Sequence, residues 1–283
     1  MSDRTRTQLD ELMTHIEENW HHLNVLFDEL ETTGNWDQKH GSDWIFADLP
    51  YHMVYCNQEI LIRGINAGSD LPKAEQELLA SIDAVNDWNT RKFSERPANQ
   101  TAAQSVSQWR ETCDEIRRLM DEMTDADLGH PFWMPLFSGW STVREGLEFT
   151  RAHDWGEFMQ LRIHMGREEP VPSPDVTKAY LQRMLGAFPL FLNREAAEGQ
   201  KFTAAMAFTD PGVGAFTFLV SDGVAKVNFS GAPDADLVMT QSAVTFVKTL
   251  TKMHDPGEAI QSGLIKVNDF ESLATFGQLF PMT

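Results

Sequence analysis

The sequence predicts two domains of different kinds: an all-α four-helix bundle, followed by an α+β domain with an antiparallel sheet. In the first half, apolar residues recur every three or four positions over long stretches, which is typical of amphipathic helices. The second half contains short segments with partial alternation, separated by turn residues. All eight tryptophans fall at or before Trp155, and eight of the nine histidines fall at or before His164. This change in composition places the domain boundary shortly after these residues.

The boundary itself is predicted from the stretch EEPVPSPD, residues 168–175, which has the proline, serine and acidic content of a linker. We therefore predict a first domain over residues 1–168, a linker over 169–175 and a second domain over 176–283. A chain of 283 residues has a comfortable length for two domains of ordinary size.

Four stretches of the first domain carry the apolar spacing of a helix. Gly34 ends the first of them, Asp48 is a candidate N-cap of the second, and either Ser141 or Thr142 can cap the fourth. The predicted helices span residues 5–33, 48–66, 101–123 and 142–165. Four long helices with longish connections are typical of a four-helix bundle, in which metal and cofactor sites lie between facing helices.

The second domain begins with a helix from residue 176, in which Pro189 predicts a kink or an early end. Four segments with partial alternation follow, and the turns between them predict an antiparallel meander. These segments are KFTAAMAFTD, GAFTFLVSD, VAKVNFSG and ADLVMTQ. A helix from Ser242 to about Met253, the strand LIKVND and the closing helix FESLATFGQLF complete the predicted order.

Charge and hydropathy exclude several classes of function. The formal net charge is −19 and no basic patch is visible, so we expect no nucleic-acid partner. No segment approaches the ~18 apolar residues of a spanning helix, and the N-terminus lacks the apolar core of a signal peptide. We therefore expect no stable membrane insertion and a cytoplasmic location. The two cysteines, Cys56 and Cys113, show neither metal-type spacing nor a disulfide framework.

A candidate metal site combines His52 with His153 and Glu157. The last two are four residues apart, so on a helix they project from the same face, while His52 lies in another predicted helix. Together they could fill three corners of a divalent-metal site and leave one position open for water or substrate. Two alternatives remain. His52, within the hydrophobic context LPYHMVY, could be satisfied by a hydrogen bond in a core, and the polar stripe of the fourth helix could face solvent. That stripe comprises Gly146, Thr150, His153, Glu157, Gln160 and His164.

The segments around these residues resemble the DinB-like superfamily. The resemblance is carried by Trp44, followed eight residues later by His52, and by WSTVREGLEFTRAHDWGEFMQLR on the fourth helix. The segment SIDAVNDWNTRKF, residues 81–93, also looks like the turn region between that family's second and third helices. The family includes the N-terminal domain of mycothiol-dependent maleylpyruvate isomerase. Its members are four-helix bundles, usually with a histidine on helix two and a His-x-x-x-His pair on helix four that bind zinc or nickel.

This resemblance implies that His52 is the first metal ligand and His153 the first member of the pair. Glu157 then stands where the family has its second histidine, and a carboxylate is an acceptable zinc ligand. In a second register, set by Gly156, Asp154 takes that position instead. A site that has lost its metal and only packs is the remaining alternative.

The second half resembles the sterol carrier protein type 2 domain. The resemblance is carried by VSDGVAKVNFSGAPDADLVMTQS, HDPGEAIQSGLIKVND and FESLATFGQLF. It implies an α+β layer that encloses an apolar tunnel for acyl chains, sterols or other lipids. The phenylalanines of these segments supply ample apolar surface, but they could equally fill a solid core.

The expected function is a metal-dependent, thiol-dependent transferase or isomerase of the maleylpyruvate isomerase type, acting on a small or hydrophobic substrate. Its cofactors would be a divalent metal, zinc or nickel, and a low-molecular-weight thiol, with no catalytic residue assigned. The second domain would then serve as a lid for the metal site. The alternative is a non-enzymatic carrier that holds a lipid or hydrophobic ligand in its second domain. A small-molecule or lipid-like ligand is the expected partner, and a homodimer is left open.

Overall fold

The computed structural model describes residues 5–40, 44–79, 82–136, 139–167, 173–186 and 188–281. The chain packs as two compact units, Met1–Leu161 and Arg162–Thr283, which we call the helical unit and the mixed unit. This division falls inside a helix rather than at the predicted linker. Residues 168–172 lie outside the described residues, so the linker stays a prediction there, while Pro174 and Asp175 already belong to a helix.

The helical unit contains six helices and two short hairpins among its described residues. The hairpins are antiparallel, β1 with β2 and β3 with β4. The elements are α1 (Thr7–Thr33), β1 (Lys39–His40), β2 (Trp44–Ile45), α2 (Asp48–Cys56), a π-helical turn (Asn57–Ile62), α3 (Arg63–Ala67), α4 (Ile82–Glu95), α5 (Ala102–Asp121), β3 (Pro131–Met134), β4 (Gly139–Thr142) and α6 (Val143–His164).

The four predicted helices are present with nearly the predicted ends. Gly34 ends α1 in the left-handed conformation, with its N–H bonded to Leu30 O. Thr101 begins α5 through a capping box with Gln104. Asp48 is not the N-cap of α2: it is the first helical residue, and its carboxylate accepts a hydrogen bond from the Ile45 N–H at 2.9 Å.

The prediction of a turn over residues 81–93 is wrong. Most of this segment forms α4, and Trp88 of this helix is buried. The turn assignment came from resemblance alone, while the spacing of apolar residues within the segment is also compatible with a helix. Because α4 is an additional helix, a four-helix bundle is not confirmed, and the first unit is better described as mostly helical.

Helices α2 and α3 form one continuous helical segment with a π-turn between them. At its end the Arg63 N–H bonds to Gln58 O, five residues earlier, instead of the usual four. The turn therefore holds about one residue more than an α-helical turn. Side chains before the π-turn therefore point in different directions relative to those after it than they would in a regular α-helix of the same length.

Phe132 on β3 lies between two glycines of different helices. A Cβ atom added at Gly64 on α3 would lie 2.5 Å from the Phe132 ring, and one added at Gly146 on α6 would lie 2.8 Å from it. Both helix backbones therefore approach the ring more closely than any residue with a side chain allows. We call Gly64, Phe132 and Gly146 the Phe132 wedge, which sets the spacing between α3 and α6.

The mixed unit contains a five-stranded sheet with strand order β7 (Val224–Asn228), β6 (Ala215–Ser221), β5 (Lys201–Phe208), β8 (Leu237–Gln241) and β9 (Lys266–Val267). Rings of the closing helix α10 pack on the sheet, with Phe276 at 5.7 Å and Phe280 at 6.1 Å from Phe218. Within the described part of the chain, no helix is both long and apolar enough to cross a bilayer. The elements of this unit are α7 (Pro174–Gly186), β5 (Lys201–Phe208), β6 (Ala215–Ser221), β7 (Val224–Asn228), β8 (Leu237–Gln241), α8 (Ala243–Leu250), α9 (Pro256–Gln261), β9 (Lys266–Val267) and α10 (Phe270–Leu279).

The predicted antiparallel meander is right for its first three strands and wrong for the fourth. Strand β8 pairs parallel to β5, with Ala204 opposite Leu237, so the sheet is mixed. Alternation predicts that a segment is a strand, but it does not identify the neighbouring strand. The connection GAPDAD, predicted as a turn, belongs to a crossover that carries the chain to the other side of β5.

Candidate metal centre

Two helices each bring a pair of polar side chains to the candidate site. His52 and Cys56 lie four residues apart on α2, and only 5% and 7% of their surfaces are exposed. His153 and Glu157 lie four residues apart on α6, with 15% and 13% of their side chains exposed. Each pair occupies one face of its helix, as the spacing requires.

The polar stripe of α6 does not face solvent in this region. Thr150 and Asp154 are buried, and His153 and Glu157 are largely covered. The other side of the helix is buried as well, through Leu147 among others. A helix that is covered on both sides lies inside its unit, so the solvent-facing alternative is wrong for these residues.

The structure brings His52, His153 and Glu157 together as the sequence predicts. The two Nε2 atoms of His52 and His153 are 3.0 Å apart. Glu157 Oε1 lies 3.5 Å from the Nε2 atom of His52 and 3.8 Å from that of His153. One nitrogen from α2 and a nitrogen and a carboxylate oxygen from α6 therefore converge on a single point.

The other ring nitrogen of each histidine is used by a hydrogen bond. His52 Nδ1 donates to the Tyr55 hydroxyl at 2.6 Å, and that hydroxyl donates to Asn89 Oδ1 at 3.0 Å. Burial raises the pKa of Tyr55 far above its usual value, so the hydroxyl stays protonated. On the other helix, His153 Nδ1 donates to Asp154 Oδ1 at 3.0 Å. Both hydrogens of the neutral imidazoles are thus placed on Nδ1.

The two Nε2 atoms therefore face each other as acceptors. Two lone pairs at 3.0 Å repel each other unless a cation lies between them, either a proton or a metal ion. A proton could be shared only between these two nitrogens. Two nitrogens together with a nearby carboxylate and a thiol are instead a donor set suited to a divalent ion such as zinc. The residues present fit such an ion.

The positions of Asp154 and Glu157 distinguish between the two alternatives for the third ligand that the sequence leaves open. Asp154 lies behind His153: one oxygen accepts from its ring, and the other accepts from the Trp20 indole N–H at 2.8 Å. Glu157 lies on the side of the two Nε2 atoms. Asp154 thus has the position of a residue that orients a ligand, and Glu157 the position of a ligand.

Cys56 belongs to the same cluster, although sequence analysis set it aside. Its Sγ lies 3.8 Å from Nδ1 and 3.7 Å from Nε2 of His52. The ligand atoms of His52, Cys56 and His153 all lie within 4.8 Å of one another. The sequence signal for Cys56 is the His-x-x-x-Cys spacing on one helix, not a spacing between two cysteines.

The charges of this cluster act on one another. Burial disfavours the charged form of His52, but the Cys56 thiolate and the Glu157 carboxylate outweigh burial and raise its pKa to about 9. Burial also disfavours the Cys56 thiolate, but His52 and His153 outweigh it and lower the pKa of the thiol to about 7. Against the effect of burial, Cys56, Asp154 and Glu157 also raise the pKa of His153. The cluster therefore stabilises positive charge between the two imidazoles.

Aromatic rings cover both histidines. The Trp44 ring lies 4.9 Å from the ring of His52, and the Phe149 ring is stacked at 5.5 Å from the ring of His153. These rings exclude water from part of the site, which strengthens electrostatic interactions inside it.

Several solved structures are similar to this chain, and one of them shows a fold that the chain shares over most of its length. A mycothiol-dependent maleylpyruvate isomerase mutant matches with a TM-score of 0.53 and 13% identity, over 92% of this chain and 92% of that chain. Sterol carrier protein 2 matches with a TM-score of 0.26 and 24% identity, over 32% of this chain and 83% of that chain. An inverting sec-alkylsulfatase from Pseudomonas sp. matches with a TM-score of 0.30 and 18% identity, over 72% of this chain. The chain spans 29% of that alkylsulfatase and 32% of a mutant form.

No curated protein sequence matches the chain. The family model of the DinB superfamily, in contrast, matches residues 15–160, just over half of the 283 residues. The matched region contains α2, most of α6 and all the residues described for the candidate metal centre. The resemblance that the sequence suggested for the first half is therefore confirmed, and the chain belongs to the DinB superfamily.

Proposed function

We propose that this protein is a metal-dependent enzyme, a transferase or isomerase that uses a low-molecular-weight thiol. The observation that carries the proposal is the pair of facing Nε2 atoms, each presented by a histidine whose Nδ1 is already used. This arrangement supports a resident cation. The fold shared with a mycothiol-dependent maleylpyruvate isomerase supports the reaction class.

In this proposal His52, His153 and Glu157 hold the metal. A bound divalent ion would lower the pKa of a thiol, so that a thiolate nucleophile is available near neutral pH. Tyr55 and Asp154 keep the two imidazoles in the tautomer that presents Nε2. The rings of Trp44 and Phe149 limit the access of water.

Metal analysis of the purified protein tests the first half of this proposal. We expect about one divalent ion per chain, since the site has three or more protein ligands. Replacement of both His52 and His153 by alanine should abolish the bound metal. His130→Ala is the matched control, because His130 is exposed and contacts only Asp127 among the ion pairs described. Unchanged metal content in the double variant would contradict the assignment.

The second half concerns the thiol. The metal-loaded protein should isomerise maleylpyruvate, or conjugate a thiol to an electrophile, only when a low-molecular-weight thiol is present. Removal of the metal with a chelator should abolish this turnover, and added zinc should restore it. A metal-loaded protein whose turnover does not depend on thiol would overturn the thiol-dependent class and leave the metal site in place.

The alternative function, a carrier of lipid or another hydrophobic ligand, depends on space inside the mixed unit. The ring of Phe188 lies 5.3 Å from Phe218 and 6.2 Å from Phe280, so these aromatic side chains pack against one another. This packing favours a filled core at that place. Saturable binding of a fluorescent fatty acid to the intact protein would support the carrier instead.

A further inference from the structure

Cys56 is the one member of the cluster for which the proposed function has no use. We propose that Cys56 is a fourth metal ligand, so that the site is closed by a thiolate of the chain itself. This inference rests on the proposed function, because it requires a metal at His52, His153 and Glu157. It adds a ligand that neither the sequence spacing of the family motif nor the three-residue site contains.

The first argument is distance. In a tetrahedral zinc site, metal–ligand bonds of about 2.0–2.1 Å to nitrogen and about 2.3 Å to sulfur separate two nitrogens by about 3.3 Å, and nitrogen from sulfur by about 3.5 Å. The two Nε2 atoms are 3.0 Å apart, and Cys56 Sγ is 3.7 Å from His52 Nε2. Glu157 Oε1 is 3.5 Å from the same nitrogen. The three edges that meet at His52 Nε2 therefore differ from those of a tetrahedron by only a few tenths of an ångström.

The second argument is the origin of the four donors. Each helix supplies two donors at a spacing of four residues, His52 with Cys56 from α2 and His153 with Glu157 from α6. Side chains four residues apart lie one above the other on a helix, so each pair can chelate one ion. A three-ligand site would use this geometry on α6 and leave the equivalent position on α2 idle.

The third argument is a comparison of the two cysteines. Both are free and buried. The described contact of the Cys113 sulfur is with Asn57 Nδ2 at 4.0 Å, and burial raises the pKa of this thiol. A thiol that only fills a core has surroundings of this kind. Cys56 instead lies beside two imidazoles, with its sulfur within 4.8 Å of a ring nitrogen of both His52 and His153.

A thiolate ligand has a consequence for the metal and for the substrate. Two nitrogens, one oxygen and one sulfur favour zinc over hard ions such as magnesium. A site with four protein ligands has no vacant position. An external thiol therefore binds only where it takes the place of Cys56, and its proton then passes to the released Cys56 sulfur, so that charge is conserved.

Cobalt(II) substitution tests the ligand directly, without a need for turnover. The protein loaded with cobalt should show the strong near-ultraviolet absorption of a thiolate–cobalt bond. Cys56→Ser should lose this absorption and bind the metal about a hundredfold more weakly, because one ligand in four is lost. The matched control is Cys113→Ser, which replaces the other buried cysteine and should retain the absorption.

A second measurement uses the unaltered chain, so that it does not depend on the folding of a variant. Alkylation by iodoacetamide, followed by mass spectrometry of peptides, should modify Cys56 more slowly when zinc is bound, while zinc leaves Cys113 unaffected. Metal binding without thiolate absorption and without protection of Cys56 would overturn the fourth ligand and leave the proposed function intact. Absence of any metal binding would overturn both.

Discussion

At the scale of single residues, the tautomer of the two histidines decides what the site can hold. Tyr55 and Asp154 each accept the Nδ1 hydrogen of one ring, so both Nε2 atoms are presented as free lone pairs. Neither contact can be derived from spacing alone. They depend on the tertiary structure. Tyr55 is held by its hydrogen bond to Asn89 of α4, and Asp154 is held by the hydrogen bond that it accepts from Trp20 of α1.

Tyr55→Phe should weaken metal binding although Tyr55 is not a ligand. The variant removes the acceptor of the His52 Nδ1 hydrogen, so the ring loses its fixed orientation. We expect the dissociation constant for zinc to rise about 10–100-fold, measured by competition with a chromophoric chelator. Tyr51→Phe is the control, because the Tyr51 hydroxyl bonds to Lys92 O, away from the site. An equal effect of both variants would mean that general destabilisation is responsible.

The affinity for metal should continue to rise with pH above neutrality. Protons compete with the metal for the same nitrogens, so a lower pH weakens binding. An ordinary imidazole, with a pKa of about 6.5, would make the affinity level off above about pH 7. Because the pKa of His52 is raised to about 9 in the absence of metal, the rise should extend to that pH. A zinc titration at several pH values that shows a plateau from neutrality upward would contradict this expectation.

The sequence predicted three of these residues correctly as neighbours and missed the fourth. His153 and Glu157 follow from helical spacing, and His52 from resemblance to a known arrangement. The choice between Asp154 and Glu157 could not be made, because it depends on the rotation of α6 about its axis, which tertiary packing sets. Cys56 was missed although its spacing from His52 was visible.

At the scale of helices and strands, the Phe132 wedge connects the two halves of the metal centre. Helix α3 continues from α2, which carries His52, and α6 carries His153. The ring of Phe132 separates Gly64 from Gly146, so it holds these helices at a defined distance. A metal site needs its ligands placed within about 0.5 Å, and such a spacer contributes to that precision.

Gly64→Ala should destabilise the helical unit, because the added methyl group would lie 2.5 Å from the Phe132 ring. We expect a loss of about 1–3 kcal/mol in the free energy of unfolding, as is usual for overpacking, measured by urea denaturation. The control is Gly277→Ala on α10, where no atom lies within 4 Å of the added carbon. That variant should be stabilised by about 0.5–1 kcal/mol, because alanine favours a helix. A neutral Gly64→Ala variant would show that the ring shifts freely.

The order of elements was largely predictable, and the pairing of strands was not. Apolar spacing predicted the helices of the first unit with ends close to those observed, since each buries one face. The parallel pairing of β5 with β8 was missed because it depends on where an irregular connection crosses the sheet. The helix over residues 82–95 was not predicted, because the resemblance implies a turn for this segment.

At the scale of the whole molecule, the chain consists of two compact units whose cores differ in composition. All the buried tryptophans of the described residues lie in the first core, whereas buried phenylalanines are more numerous in the second. The metal centre belongs to the helical unit alone, because all its residues lie within Met1–Leu161. The distribution of tryptophan predicts two domains of different kinds, and the predicted boundary near residues 168–175 stays a prediction.

Limited proteolysis of the intact protein should cut first within residues 168–175, as the proline, serine and acidic content of that stretch predicts. Mass spectrometry should then find a helical N-terminal fragment and a C-terminal fragment that contains the sheet. Zinc should protect only the N-terminal fragment from further digestion, because the ligands lie there. First cleavage inside the helical unit would contradict the predicted linker.

The π-turn between Cys56 and Arg63 also constrains how relatives of this chain can differ in length. Before the turn, His52 faces His153 on α6. After the turn, Gly64 faces the Phe132 ring. Deletion of one residue there would rotate the following helix by about 100° and carry Gly64 away from the ring. A relative that keeps both contacts must therefore keep the extra residue of the π-turn. Insertions and deletions ordinarily accumulate in surface loops, but alignment of this chain with a relative whose helix is regular requires a gap inside a buried helix.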